Sequence, residues 1–280
     1  MTVTLTVLAF LVGGAAAARS TWSPCGLSML STITPFAERG KGHRYRVTCT
    51  WFILGATLGG LALGAFIAGL AALTRAVGPT PTAMGTVGLV ATLVVLVSDT
   101  GLAGRRLPVH YRQVNERWLD AYRPWVYGTG FGFQIGTGVA TYISTAAIYL
   151  TVALGGLTAS PAVALVLGAT FGMARGMAVT LTRRVTTPAR LVAFHIRFAA
   201  LGRWADRGVL AMAAMAAVVL AAATGAGPSL VATASVASMV VVVRVVQRVV
   251  GARRTPMMDP EDPVGSVRSV GESDRSVAVV

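Results

Sequence analysis

The chain has 280 residues, of which 54% are hydrophobic and only 12% charged. A soluble domain carries about 25% charged residues, so a soluble globular enzyme is excluded, and so is a disordered chain apart from the C-terminal end. Lys and Arg number 24 against 10 Asp and Glu, for a net charge of +14, but the basic residues fall mostly in short connections between apolar runs. That pattern orients a membrane protein and does not indicate nucleic-acid binding.

The two cysteines, Cys25 and Cys49, are too few for a disulfide framework. His43, His110 and His195 are scattered, so neither a metal site nor a cofactor is expected. The 32 glycines and abundant alanine suit close helix packing in lipid. The class is an all-α integral membrane protein, with membrane lipid as its common partner.

The first apolar run, Val3 to Ala18, ends in small residues before Arg19 in the manner of a signal peptide. No Lys or Arg precedes it, however, and apolar character resumes from Trp22 to Phe36. One long helix is expected over 3–36, broken around Ser23-Pro24-Cys25-Gly26, because proline removes a backbone donor and clashes with the preceding turn. Further spans are expected over 47–73 and 83–103. The fourth, over 125–157, is again long and is interrupted by glycine at 128–132 and at Gly136-Thr137-Gly138. A fifth follows over 161–182. Within 191–206, Leu191, Phe194, Phe198 and Leu201 recur at helical spacing among His195, Arg197 and Arg203, which predicts an amphipathic helix at the interface. Sixth and seventh spans are expected over 208–226 and 229–250, joined by Gly227-Pro228, with Arg244 and Arg248 snorkelling near the end of the last. The transmembrane domain thus covers 1–250. Residues 251–280 hold half of the acidic residues without an apolar period, and predict a disordered cytoplasmic tail.

Alternate connections carry the charge. The first, 37–46, has Arg39, Lys41, Arg44 and Arg46; 104–124 has five arginines and 183–207 has six, whereas the intervening ones hold only Arg75. The positive-inside rule then places a multi-pass protein in the cell membrane with its N-terminus outside and its C-terminus in the cytoplasm. Trp118, Tyr122 and Trp125 interleave with the charges of 104–124, which predicts a surface helix there.

The two broken spans are alike. Residues 22–35 read WSPCGLSMLSTITP and residues 133–146 read FQIGTGVATYISTA. Each has an aromatic residue, then helix breakers, then a helix rich in Ser and Thr. They open spans 1 and 4, which run in opposite directions, so an inverted 3+3 repeat core is expected. An interrupted turn in such a core frees backbone groups to meet a ligand.

The run Trp22-Ser23-Pro24-Cys25-Gly26-Leu27, followed by Pro35, a basic loop and an apolar second span, resembles the CcdA/DsbD transmembrane electron carriers. In topology the chain resembles the wider LysE-type exporter group. The likeness covers roughly 3–225 in span order. It implies a thiol relay of the kind used in cytochrome c biogenesis, in which Cys25 exchanges with a thioredoxin-like partner and reducing equivalents cross the membrane. That family places a Pro-Cys in each of two inverted broken helices. Here the second break reads Gln134-Ile135-Gly136-Thr137-Gly138, and Gly136 stands about where the second cysteine falls. No disulfide can therefore join the two breaks.

Several residues carry two readings each. Cys25 is either a relay thiol or a small packing residue beside a kink. Cys49 lies at the start of span 2 with no base nearby in sequence, as a packing residue would. Asp99 is the sole carboxylate inside an apolar run, and Arg175 is the most isolated intramembrane cation. Charge in a membrane is costly unless paired or hydrated, so the two form a candidate pair, either lining a substrate or proton path or clamping two helices. Ser28, Ser31 and Thr32 with Gln134, Thr137, Thr141 and Ser144 either line a central cavity or bond back to their own carbonyls. Pro24, Gly26, Gly136 and Gly138 are the helix breakers. Three functions stay open: a thiol relay through Cys25, a small-solute or ion transporter without redox chemistry, and a membrane scaffold.

Overall fold

The computed structural model describes residues 1–101, 122–139, 143 and 145–225. These residues form helices and turns, with no strand among them. The helices are α1 (Thr2–Arg19), α2 (Pro24–Thr32), α3 (Pro35–Gly40), α4 (Tyr45–Val77), α5 (Pro81–Thr100), α6 (Pro124–Gly136), α7 (Ala147–Leu157), α8 (Pro161–Met177) and α9 (Pro188–Ala223). Six of these nine begin on proline, whose fixed φ suits the first helical position and whose missing N–H is not needed there. Ser23, Thr34, Thr80 and Thr187 cap α2, α3, α5 and α9 by accepting from a backbone N–H in the first turn.

Among the described residues, five helical stretches are long and apolar enough to cross a membrane: Thr2–Trp22, Tyr45–Val77, Pro81–Thr100, Pro161–Arg184 and Pro188–Ala223. Their outer faces keep large apolar side chains exposed, among them Leu58, Phe66, Val87 and Val90, as a lipid-facing surface requires. The inner core joins Leu5, Leu8, Ile67, Leu150, Leu154 and Leu220 from different helices.

The breaks expected at 23–26 and at 136–138 are present, but the interruption expected at 128–132 is not: α6 runs unbroken from Pro124 to Gly136, and Gly128 and Gly132 serve close packing on α4 instead. After α1 a single 3₁₀ turn, Ser20–Trp22, leads to extended Ser23 and then Pro24. At the other break, α6 ends at Gly136 and Gly138 follows at φ 71°, while α7 begins at Ala147. One boundary also differs from expectation. Residues 191–206 and the following span are a single helix, α9. Gly202 and Gly208 lie inside it, no proline interrupts it, and Asp206 pairs with Arg19 of α1. Its 36 residues extend about 54 Å, against a hydrocarbon thickness of about 30 Å, so its arginine-bearing first half reaches beyond the hydrocarbon. Most of the 104–124 connection, Thr141, Ser144, the seventh span and the tail lie outside the described residues.

The central element is α4. It packs parallel to α6, with Gly128, Gly132 and Gly136 set against Thr48, Phe52 and Ala56. It packs antiparallel to α8, with Gly60 set against Gly168 and Gly172. A Cβ on Gly60 would lie 2.2 Å from the Gly168 carbonyl oxygen, so the two backbones touch. In lipid such approach supplies van der Waals packing that apolar burial alone does not.

The two ends of the bundle differ in charge. Met1 and Thr224 meet Gly85 at one end, where Leu157 also adjoins Val77 and Pro79. At the opposite end Phe36 N donates to Val185 O at 3.3 Å and Tyr45 Oη to Val179 O at 3.0 Å. The connections that carry Arg39, Lys41, Arg44 and Arg46 and those that carry Arg183, Arg184 and Arg190 are thereby gathered together.

Candidate functional site

The first break positions Cys25. Ser23 Oγ accepts from Gly26 N at 3.2 Å, and Pro24 starts the helix. Gly26 is required by a close approach, since a Cβ there would lie 2.3 Å from Thr21 O. The result is a thiol in the first turn of α2, only 1% exposed, where the backbone N–H groups present the positive end of the helix dipole. Arg175 of α8 lies within electrostatic range of that thiol.

Arg175 is itself 3% exposed. Its guanidinium carbon lies 5.7 Å from the centre of the Phe171 ring, and its Nη1 is buried without a hydrogen-bond partner. The second break comes to the same place: a Cβ on Gly138 would lie 2.8 Å from the Phe171 ring and 3.4 Å from Arg175 Nη1. One buried guanidinium thus touches the second break and lies within electrostatic range of the thiol at the first. A desolvated charge with an unused donor destabilises a fold, so its presence points to a role in binding or chemistry.

Asp99 is placed differently. Its Oδ2 accepts from Thr145 Oγ1 at 2.6 Å and its Oδ1 from Ala146 N at 2.8 Å, so the carboxylate sits at the N-terminus of α7. Among the described residues Arg175 forms no ion pair with it. The hydroxyls of the expected polar stripe largely bond locally. Thr32 Oγ1 donates to Ser28 O at 2.8 Å and Thr137 Oγ1 to Gln134 O at 2.8 Å. Ser31 donates to Leu27 O and also meets His195 Nε2 at 3.1 Å. Ser28, Gln134 and Thr137 are half-buried. Cys49 is buried in the second turn of α4, and no disulfide joins it to Cys25.

A second cluster escapes sequence inspection. Glu38 of α3 is fully buried. Tyr127 Oη donates to both carboxylate oxygens, at 2.6 and 2.8 Å, and Thr48 Oγ1 donates to Oε2. His43 Nδ1 lies 3.9 Å away. The available signal was that Glu38 is the sole acidic residue before Asp99, set within a basic connection.

No protein-family model matches the chain, and no solved structure matches it. Similarity to named proteins does exist. Over 210 residues the chain is 32% identical to the methylamine utilization protein MauF of Paracoccus versutus, covering 72% of each chain. It is 30% identical over 177 residues to the MauF of Methylophilus methylotrophus, covering 62% of this chain and 60% of that one. It is 28% identical over 199 residues to the MauF of Paracoccus denitrificans, covering 68% and 69%.

Proposed function

Because the chain belongs to the MauF family of methylamine utilization proteins, we propose that it is a membrane-embedded accessory to methylamine utilization that performs thiol exchange at Cys25. The observation that carries this reading is Arg175, buried with an unused donor within electrostatic range of the thiol. Thiol exchange develops anionic sulfur, and a guanidinium and a helix N-terminus meet that charge with positive potential.

The exchange balances with one resident cysteine. The Cys25 sulfur attacks the disulfide of an oxidised partner; one partner sulfur leaves as thiolate and takes up a proton. A reduced, thioredoxin-like dithiol then attacks the Cys25 sulfur and frees the first partner as a dithiol. Its own second thiol resolves the new mixed disulfide and releases Cys25. Two electrons and two protons pass from the dithiol to the disulfide. The break between α1 and α2 must open for this, because Cys25 is almost without exposure.

The same proposal includes seven spans, an inverted 3+3 core and an N-terminus outside. It is supported by the interruptions on the first and fourth spans and by the gathering of two basic connections at the end opposite Met1. The kinship with CcdA/DsbD carriers rests on Pro24-Cys25 at the first break.

The test is thiol trapping in intact cells with Cys49→Ser as background. Acid quench, alkylation and a non-reducing gel are expected to show a partner-linked band that vanishes in Cys25→Ser. A thiol that stays reduced and unlinked under every redox condition overturns the relay. A second reading, transport of a small anion, is favoured by the same unused guanidinium. It wins if growth on methylamine survives Cys25→Ser but not Arg175→Met.

A further inference from the structure

An aromatic shelf stands at the basic end of the bundle. Trp22 stacks on Phe198 with ring centres 4.3 Å apart and planes 3° from parallel, and Phe194 continues the stack at 5.4 Å. Trp22 Nε1 donates to Phe198 O at 2.8 Å, which fixes the indole against α9. Gly202 leaves room for it, since a Cβ there would meet the Trp22 ring at 3.1 Å. This shelf is one wall of an open groove of about 1000 Å³.

The groove is also cationic. Arg183, Arg184, Arg190 and Arg197 line it, and none of its described lining residues is acidic. Arg190 is held in place at the start of α9: its Nη1 donates to Thr186 Oγ1 at 3.0 Å, and its backbone N donates to Thr187 Oγ1. Four guanidiniums with no carboxylate among them call for an anion, and their planar forks match phosphate oxygens. The apolar shelf calls for a hydrocarbon. Around it Leu181, Val192, Ile196 and Leu201 are all more than half exposed, as side chains beside acyl chains are.

We infer that this groove binds an anionic phospholipid, its phosphodiester on the arginines and an acyl chain along Trp22, Phe198 and Leu201. Charge complementarity selects the headgroup, and the aromatic shelf selects a lipid over a soluble anion. The arginines lie where the positive-inside pattern puts the anionic leaflet. The site is independent of Cys25 and of any thiol exchange.

The test uses the full chain with Trp22 as its sole tryptophan, Trp51, Trp118, Trp125 and Trp204 being replaced by Phe. It is reconstituted in phosphatidylcholine vesicles doped with brominated-chain phosphatidylglycerol or, at equal mole fraction, brominated-chain phosphatidylcholine. Trp22 is expected to be quenched more strongly by the phosphatidylglycerol. Arg190→Gln and Arg197→Gln should each weaken that preference about fivefold, the factor for one basic residue at an anionic surface. Both side chains are exposed, so neither change threatens folding. Equal quenching by the two lipids overturns the inference, as does a preference that survives both substitutions. Loss of the preference on adding inorganic phosphate alone also overturns it, by assigning the groove to a soluble anion.

Discussion

Replacing Gly136 tests the packing that the second break depends on. The last turn of α6 lies directly on α4, and an ideal Cβ at position 136 would stand 2.0 Å from Ala56 O and 2.7 Å from Ala56 Cα. Ordinary contact begins near 3.4 Å, so in Gly136→Ala the two helices must part by more than an ångström. The neighbouring contacts open with them, because Gly132 meets Phe52 O and Gly59 meets Phe133 O along the same seam. A radial gap of about 0.5–1 Å already forfeits a quarter to a half of each van der Waals well. Overpacking costs about 1–3 kcal/mol where side chains can yield, and here the opposing atoms are backbone, so a loss of at least about 3 kcal/mol is expected. The gain of about 1 kcal/mol from alanine's helix propensity does not offset it. The assay is thermal unfolding in detergent, followed by circular dichroism and by the monodisperse fraction on gel filtration. Gly69→Ala is the control, on α4 with open space around it, and should be neutral or up to about 1 kcal/mol more stable. If Gly136→Ala melts with the parent chain, α4 and α6 are not in backbone contact and the reasoning fails.

Three further outcomes follow from polar groups at helix contacts. Glu38→Ala strands the hydroxyls of Tyr127 and Thr48 and should cost about 2–6 kcal/mol in the same assay, at about 1–3 kcal/mol for each orphaned group, whereas Tyr127→Phe should cost less; equal losses would show that the carboxylate is not the hub. Asp99→Ala removes the anion at the head of α7 and should cost about 1–2 kcal/mol, visible as faster amide exchange at Ala146; unchanged exchange there would refute the capping role. Arg175→Met removes a buried charge with an unused donor, so stability should hold or rise while alkylation of Cys25 slows. A clear loss of stability would mean that the guanidinium is structurally satisfied.

The breaks at Pro24 and Gly138 were legible because their chemistry is local, whereas the glycines at 128–132 read as a break and instead serve packing on α4. Pro24 cannot continue a helix from α1 and Ser23 caps the next one, while Gly138 takes a positive φ that few other residues tolerate. The continuity of α9 was not legible. Arg203, Asp206 and Arg207 interrupt the apolar pattern and read as a boundary, yet the backbone continues through them and Asp206 finds Arg19, 187 residues away. Glu38 was missed for the same reason: its burial is completed by Tyr127 on α6, 89 residues away, as well as by Thr48 on α4. The proposed Asp99–Arg175 pair matched charges along the sequence but left out a helix N-terminus as a carboxylate's partner, the place where Asp99 in fact lies.

The resemblance to two-cysteine carriers places a sulfur at Gly136, and that position has no room for one, since Ala56 O fills the space of its Cβ. What meets the second break, within electrostatic range of the thiol at the first, is the guanidinium of Arg175. A guanidinium stabilises negative charge but accepts no electron pair from a thiol, so in the proposed relay the chain has no internal disulfide between its breaks in which to store reducing equivalents. Every oxidised intermediate must then be a mixed disulfide with a partner. The purified chain, without partner proteins, should therefore yield two alkylatable cysteines per molecule after denaturation, both from a mildly oxidising buffer and from a reducing one, in keeping with the thiol state of Cys25 and Cys49 in the structure. A Cys25–Cys49 disulfide found by mass spectrometry under the oxidising condition would restore an internal redox pair and overturn the single-thiol scheme.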